Sequence, residues 1–239
     1  MTELTREGFR VVSDILTKTD LSGMRDAITE TIDRVARALR TSFDTSHPDA
    51  PFEERLDRIA RHDRAYALAL FHAVMADAQR DPRIARVADA PRLASLLKDA
   101  VAPATVTGHV VRTRAVVPSL SSHRSAWHQD VLERTSDGRG CGSVRVACWM
   151  PLGDVDERSG ALEVIPGAWE PLPHRNDDGH FSIPDESLPS GRRSVVTICR
   201  GDVLLLDRFV PHRSTAATPP RARWAVVAWV KAATHAPQH

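Results

Sequence analysis

The chain has 239 residues, of which 42% are hydrophobic and 26% are charged, with a formal net charge of +1. These values are those of an ordinary globular protein and exclude a low-complexity chain. No basic block points to nucleic acid, and no apolar run approaches the roughly 18 residues of a transmembrane helix. We therefore expect residues 1–239 to form a single domain, a monomer or homodimer, that binds a small-molecule substrate, with no nucleic-acid and no membrane partner.

The cysteines and the N-terminus indicate the compartment. Cys141, Cys148 and Cys199 form no CxxC motif, and the first residues lack the charged-then-apolar pattern of a signal peptide. We expect Cys148 and Cys199 to be reduced core residues, and the protein to be cytoplasmic without disulfides.

Residues 1–100 carry mostly helical patterns. Residues 8–12 read as a short strand, and apolar residues between 21 and 39 then recur every three or four positions. This spacing predicts an amphipathic helix that Asp20 could cap. Further helices are predicted at residues 52–59, 66–75 and 92–100.

Residues 101–231 change to the pattern of short strands separated by turn residues. Such a series favours a β-sandwich or barrel such as a jelly roll. Gly201-Asp202 is a hairpin-type turn signal, and the polar segment 171–193 is predicted to be a long loop of the kind that often serves function. Strands are predicted at residues 105–117, 128–130, 144–150, 162–166, 195–198, 203–207 and 224–230.

His128-Gln129-Asp130 is a candidate metal-binding motif. Residues i and i+2 of an extended strand project to the same side, so His128 and Asp130 would face one point. His212 would complete a facial triad of two histidines and one carboxylate, which favours non-haem Fe(II) and leaves coordination positions open. The tripeptide alone is a weak signal, because the chain contains 11 histidines and 31 acidic residues.

Arg223 begins the last predicted strand, and an inward-facing arginine there needs an anionic partner. Its planar guanidinium suits a carboxylate, and Ser214 lies on the same strand face as His212 and could add a hydroxyl donor. Together these residues describe a site for a metal ion and a chelating 2-oxo acid.

In combination, these segments resemble the phytanoyl-CoA dioxygenase (PhyH) family of Fe(II)/2-oxoglutarate-dependent oxygenases. They occur in the family's order over nearly the whole chain. The matching pieces are Gly8-Phe9-Arg10-Val11-Val12, Trp127-His128-Gln129-Asp130, Cys148-Trp149-Met150-Pro151-Leu152, Ser159 to Gly167, Gly201-Asp202-Val203, His212-Arg213-Ser214 and Arg223. One departure is Ala168-Trp169, where the family usually has Ser-His.

The resemblance implies a mainly β protein: a double-stranded β-helix (jelly roll, cupin-like) core at 101–231, with the helices of 1–100 packed against one sheet. The same resemblance implies the cofactors Fe(II), 2-oxoglutarate and O2. It also implies roles for six residues: His128, Asp130 and His212 as catalytic iron ligands, Arg223 and Ser214 as the anchor of 2-oxoglutarate, and Trp149 as an aromatic neighbour of that cosubstrate.

The implied reaction is hydroxylation of an unactivated C–H bond of a small polar metabolite, amino-acid-like or a natural-product intermediate, with release of succinate and CO2. Asp130 favours it over halogenation, because halogenating relatives have a small residue there. Desaturation, epimerisation and cyclisation would share its first steps.

Two other functions stay open: a cupin-like metal-dependent isomerase or hydrolase with the same ligands, and a non-catalytic small-molecule-binding protein on the same fold. Arg223 favours the oxygenase over the first, and the intact ligand set favours it over the second.

Other basic and histidine residues complete the candidates. Five arginines hint at an anionic or polar substrate, and His174 and His180 are expected in a solvated loop rather than a second metal site. The arginines are Arg112, Arg114, Arg124, Arg134 and Arg139.

Overall fold

The computed structural model describes residues 3–39, 43–131, 144–177 and 180–233. Helices dominate the first hundred residues, as the spacing of apolar residues predicts. They are α1 (Glu3–Glu7), α2 (Lys18–Ala38), α3 (Phe52–His62), α4 (Arg64–Asp77), α5 (Pro82–Ala85) and α6 (Pro91–Val101). The two shortest, α1 and α5, have too few residues to show a helical period and were not predicted.

The strands form two antiparallel sheets and a small hairpin. The larger sheet has the order β1-β8-β3-β10-β2, the smaller one has the order β7-β4-β9, and β5 pairs with β6. The strands are β1 (Phe9–Val12), β2 (Thr105–Val116), β3 (Val144–Pro151), β4 (Leu162–Val164), β5 (Arg175–Asp177), β6 (His180–Ser182), β7 (Ser194–Val196), β8 (Val203–Asp207), β9 (His212–Ser214) and β10 (Arg223–Ala233).

The larger sheet is buried on both faces, and side chains alternate along each of its central strands. On β3, Cys148 and Met150 belong to the cluster that includes the helices, whereas Ala147 and Trp149 belong to the cluster between the two sheets. The predicted packing of the N-terminal helices against one sheet is therefore confirmed. The smaller sheet contributes Leu162 and other residues to the second cluster and so covers the opposite face.

Helix α2 begins one turn earlier than its apolar pattern suggests. The N-cap is Thr17, whose side chain accepts a hydrogen bond from the Asp20 backbone N–H at 3.1 Å, while Asp20 accepts from the Thr17 backbone N–H at 2.8 Å. The prediction of Asp20 as the cap was wrong. Asp20 is instead the acidic partner of a capping box, which satisfies two of the helix's free N–H groups.

Other local predictions also need correction. Residues 128–130 form no strand: only His128 pairs, in an isolated antiparallel bridge to His212. Gly201 has φ +104° and makes the predicted turn, but the turn connects β7 of the smaller sheet to β8 of the larger one, so it closes no hairpin. Cys199 is exposed rather than in the core, while Cys148 is buried as expected.

The predicted 171–193 loop contains the β5–β6 hairpin within its described residues. Cys141, Arg134 and Arg139 lie outside the residues that the structure describes, as does the side chain of His180. No helix in the described part of the chain is long and apolar enough to cross a membrane.

Candidate metal centre and cosubstrate cavity

His128, Asp130 and His212 converge on one point. One potential ligand atom from each residue lies within 4.8 Å of the others. His212 Nε2 is 3.8 Å from Asp130 Oδ2, and the two imidazole centroids are 4.2 Å apart. In the described ranges, this is the one group of three or more histidine, cysteine or acidic side chains that could hold a metal.

The backbone holds the two histidines in place. The His128 N–H donates to the His212 carbonyl at 3.0 Å, and the His212 N–H donates back to the His128 carbonyl at 2.9 Å. Each ring is then oriented by its Nδ1, which lies 2.8 Å from the Ala126 carbonyl in His128 and 3.0 Å from the Val210 carbonyl in His212. Because a carbonyl only accepts, both Nδ1 atoms must carry the proton, which leaves each Nε2 lone pair free for a metal.

Electrostatic effects also favour the neutral form of His128, which a metal ion requires. Burial, followed by the neighbouring His212, lowers the pKa of His128 to about 4, against the opposing effect of Asp130. The His128 imidazole is therefore neutral near pH 7, as a metal ligand must be. Two neutral imidazoles and a carboxylate form the donor set typical of non-haem Fe(II) sites, so these residues fit such an ion.

Gln129 points away from the metal ligands and is almost fully buried at 1% exposure. Its Nε2 donates to the carbonyls of Glu170 (2.9 Å) and Phe209 (2.6 Å), and its Oε1 accepts from the Leu172 N–H at 2.8 Å. These bonds join the metal-binding tripeptide to two distant segments. The sequence analysis assigned Gln129 no role, although the period of two that turns His128 and Asp130 inward also turns Gln129 to the opposite side.

His174 was expected in a solvated loop, but it contacts the metal-binding tripeptide. Its Nε2 accepts the Gln129 backbone N–H at 3.0 Å, and its Nδ1 lies 2.8 Å from the Leu172 carbonyl. The ring stacks on Phe181, with centroids 4.2 Å apart and planes within 6° of parallel. His174 therefore connects the tripeptide to the β5–β6 hairpin. No second metal cluster involving it occurs among the described residues.

Arg223 is buried at the start of β10, at 6% exposure. Its Nε donates to the Gly160 carbonyl and its Nη2 to Ser214 Oγ, both at 2.9 Å, while Trp149 lies under the guanidinium at 5.2 Å. Burial and, to a smaller extent, the charge of Arg114 together lower the pKa of Arg223 to about 9. In the described part of the chain Arg223 forms no ion pair. Because an unpaired buried cation is costly, its position indicates that an anionic ligand binds there.

One cavity of about 410 Å³ collects nearly all of these side chains. Its wall includes every predicted site residue, and of the candidate substrate-binding arginines it includes Arg114 and Arg124 but not Arg112. A second cavity, of about 320 Å³, lies on the helical side of Arg223 and contains none of the metal ligands. The volume of the first is in the usual range for small-molecule sites.

The sequence profile of the phytanoyl-CoA dioxygenase (PhyH) family matches residues 4–225. The chain belongs to this family. As a PhyH protein it is an enzyme of the Fe(II)/2-oxoglutarate-dependent type. A comparison with curated protein sequences found no significant match.

Solved structures with the same fold include three informative ones. EctD from S. alaskensis, with 2-oxoglutarate and 5-hydroxyectoine, is 18% identical with a TM-score of 0.61, covering 96% of this chain and 74% of its own. HygX from Streptomyces hygroscopicus, with nickel and 2-oxoglutarate, is 18% identical (TM-score 0.55; 95% and 84% covered). The epimerase SnoN from nogalamycin biosynthesis, with Fe3+, alpha ketoglutarate and nogalamycin RO, is 16% identical (TM-score 0.54; 96% and 80% covered). These likenesses confirm the double-stranded β-helix fold.

The departure from the family pattern at Ala168-Trp169 lies beside this site. Trp169 is 43% exposed, and its ring lies close to Gly8, just before β1. Neither Ala168 nor Trp169 lines the cavity of the metal ligands. The departure therefore leaves the predicted ligands in place.

Proposed function

We propose that this protein, as one domain over residues 1–239, is an Fe(II)/2-oxoglutarate-dependent dioxygenase that hydroxylates an unactivated C–H bond of a small polar metabolite. Succinate and CO2 would be the coproducts. The observation that carries the proposal is the position of a buried arginine, without an acidic partner among the described residues, in the same cavity as two histidines and a carboxylate.

In this proposal each residue has a specific task. His128, Asp130 and His212 hold the metal on one side, and the protonated Nδ1 atoms keep both Nε2 lone pairs directed at it. Arg223 and Ser214 bind the distal carboxylate of 2-oxoglutarate, with Ser214 itself held by Ser125 at 2.8 Å between hydroxyl oxygens. When bound, Fe(II) and 2-oxoglutarate would together activate O2 and so supply the oxidant for attack on a C–H bond.

The surrounding side chains protect this chemistry. Trp149 covers the guanidinium of Arg223 and, with Leu162, Leu206 and Val227, forms an apolar wall of the cavity. Such a wall strengthens the ion pair between Arg223 and a bound carboxylate by excluding water. It also holds a substrate close to the metal, which is the protein's main contribution to a reaction of this type.

The type of reaction is proposed from Asp130. A carboxylate at this position fills the coordination site that a halide would need, which favours oxygen insertion. The similarity to the epimerase SnoN makes epimerisation the second candidate. Incorporation of one atom of labelled O2 into the product would support hydroxylation, whereas an isomeric product without label would support epimerisation.

The central test is metal binding and 2-oxoglutarate turnover by purified protein. We expect one equivalent of Fe(II) per chain under anaerobic conditions, and succinate formation in air that a panel of candidate metabolites stimulates. His212→Ala should lose stoichiometric Fe(II) binding and reduce succinate formation at least about 100-fold, because one ligand is missing. The matched control is His109→Ala, since His109 lies on β2 outside the cavity.

Arg223→Gln provides the second arm of this test. It should retain Fe(II) binding but weaken 2-oxoglutarate roughly 10- to 100-fold, because the charged fork is lost. Metal binding without any affinity for 2-oxoglutarate would contradict the dioxygenase and support a cupin-like hydrolase or isomerase. Binding of both without turnover of any metabolite would support a non-catalytic binding protein.

A further inference from the structure

Arg114 is a second positive charge inside the cavity that the proposed chemistry does not use. It lies on β2 opposite Ala225 of β10, two residues beyond Arg223, and its side chain lines the same cavity wall as Asp130. The residue is exposed to solvent overall, yet protein atoms around its guanidinium give it a partial burial that lowers the pKa of Arg114, against the opposing effect of Asp130.

The protein offers Arg114 little compensation for that burial. Its Nη1 donates to the carbonyl of the preceding Thr113 at 3.2 Å, and its guanidinium lies 5.2 Å from the ring of Trp229. No carboxylate within the described ranges forms an ion pair with it. Arg124 also lines the cavity but has an interaction partner within the protein. A partly buried guanidinium with free donors is a binding site for a planar anion.

The charges of the loaded site indicate how much negative charge is missing. This step rests on the proposed function. A metal dication and the dianion of 2-oxoglutarate cancel each other, and Asp130 and Arg223 also cancel. Among the described residues of the cavity, Arg114 and Arg124 carry the remaining positive charges, and Arg124 has an interaction partner within the protein. A single negative charge on the substrate would neutralise Arg114. A carboxylate carries one such charge near pH 7, whereas a phosphate monoester carries closer to two.

Three aromatic side chains also line the cavity. Phe71 of α4, Phe181 of β6 and Trp229 of β10 face the cavity from three different elements. They offer no further charge or strong donor to a ligand beyond the indole N–H of Trp229. A matching substrate has one anionic group at Arg114 and an apolar body against these rings.

We propose that Arg114 binds the carboxylate of the substrate and thereby selects an apolar monocarboxylic acid. The bidentate contact fixes one end of the molecule on β2. The apolar body then lies between the three rings and the metal ligands, where a C–H bond meets the oxidant.

The test compares carboxylates with neutral isosteres in protein that cannot turn over. Wild type loaded with Ni(II) and saturating 2-oxoglutarate is titrated by calorimetry with aliphatic and aromatic monocarboxylates and with their primary amides. We expect at least one acid to bind roughly 10- to 100-fold more tightly than its amide, the range expected for a charge-assisted hydrogen-bond pair. If no acid in the set binds better than its amide, the inference is wrong.

Variants assign this preference to Arg114. Arg114→Gln should abolish the preference for the acid, and Arg114→Lys should keep part of it, because a lysine retains the charge without the fork. Arg112→Gln is the matched control: Arg112 is on the same strand and face but outside the cavity. An undiminished preference in Arg114→Gln would overturn the inference. Alkyl phosphonates that bind more tightly than the matching carboxylates would overturn the class of substrate.

Titration of 2-oxoglutarate separates this inference from the proposed function. Wild type and Arg114→Gln should bind it with similar affinity. If Arg114→Gln weakens 2-oxoglutarate as much as Arg223→Gln does, Arg114 is a second cosubstrate anchor and the inference fails while the dioxygenase stands. If wild type binds no 2-oxoglutarate, the proposed function fails, and the comparison of acids with amides still reports on Arg114.

Discussion

Asp207, at the end of β8, carries a partly buried carboxylate. Its Oδ1 accepts the Phe209 backbone N–H at 2.9 Å, and its own N–H donates to the Gly8 carbonyl at 2.7 Å. Burial raises the pKa of Asp207, against smaller opposing effects of that hydrogen bond and of nearby arginines. The folded state therefore disfavours the charged carboxylate relative to the unfolded chain.

We predict that Asp207→Asn increases the free energy of unfolding at pH 7, because the amide keeps an oxygen acceptor without a charge. A carboxyl with a raised folded pKa lowers stability above that pKa, and this effect disappears once both states are protonated. The gain should therefore shrink as the pH falls towards 4. Urea denaturation of wild type and variant at several pH values measures it, and a gain independent of pH would contradict this explanation.

At the residue scale, the sequence predicts which residues form the site better than it predicts their hydrogen-bond partners. The spacing of His128 and Asp130 became specific only with His212, Arg223 and the family motifs in their order, and all four residues line one cavity. The bonds of Gln129 to Glu170 and Phe209 were not predicted, because their acceptors are backbone carbonyls. Every residue has such a carbonyl, so no side-chain pattern identifies these partners.

At the scale of elements, Gln129 joins three segments by hydrogen bonds: the metal-binding tripeptide, residues 170–172 and the residues that follow β8. The tripeptide itself is nearly without strand pairing, since only His128 forms a bridge. Its position therefore depends on side-chain hydrogen bonds more than that of a regular strand would.

We predict that Gln129→Leu lowers the free energy of unfolding by about 1.5–4.5 kcal/mol, because it removes three hydrogen bonds that each contribute about 0.5–1.5 kcal/mol. It should also weaken metal binding through displacement of both neighbouring ligands. Gln79→Leu is the matched control, since Gln79 makes a single local bond to the Ala76 carbonyl. Thermal unfolding measures the loss of stability, and metal titration measures the loss of metal affinity. Equal stability of Gln129→Leu and Gln79→Leu would contradict a structural role for the hydrogen bonds of Gln129.

The elements that sequence predicts well are those with many residues in one period. Helix α2 spans 21 residues and its buried face follows the apolar spacing. The β5 and β6 strands have three residues each and carry polar side chains. Such short strands show no alternation that distinguishes them from a loop, and pairing with each other decides their structure.

At the scale of the whole molecule, the metal site connects parts of the chain that are distant in sequence. His212 belongs to the smaller sheet, whereas Arg223 begins β10 of the larger one, between β3 and β2. Strand order could not be predicted, because neighbours such as β1 and β8 lie almost 200 residues apart along the chain. Short strands do not encode which distant partner they pair with.

We predict that a divalent metal stabilises the fold, since the ligands come together only in the native state. At a concentration 100 times its Kd, the metal should add about 2.7 kcal/mol and raise Tm by roughly 5–10 °C for a chain of this size. Calorimetry with Ni(II), and again after chelation, measures the shift. His212→Ala should lose most of it, and a shift that persists in this variant would place the metal elsewhere.

The three metal ligands are not held equally firmly, because a backbone bridge joins only His128 and His212. The histidines are fixed by paired main-chain hydrogen bonds and by carbonyls that hold their rings. In the described residues, the Asp130 side chain is held by no hydrogen bond, although His212 Nε2 lies 3.8 Å from its Oδ2. For protein engineering, the third ligand is thus an exchangeable position: its side chain can be shortened or replaced while the geometry of the histidine pair is retained, which makes this chain a scaffold for metal centres with a chosen open site.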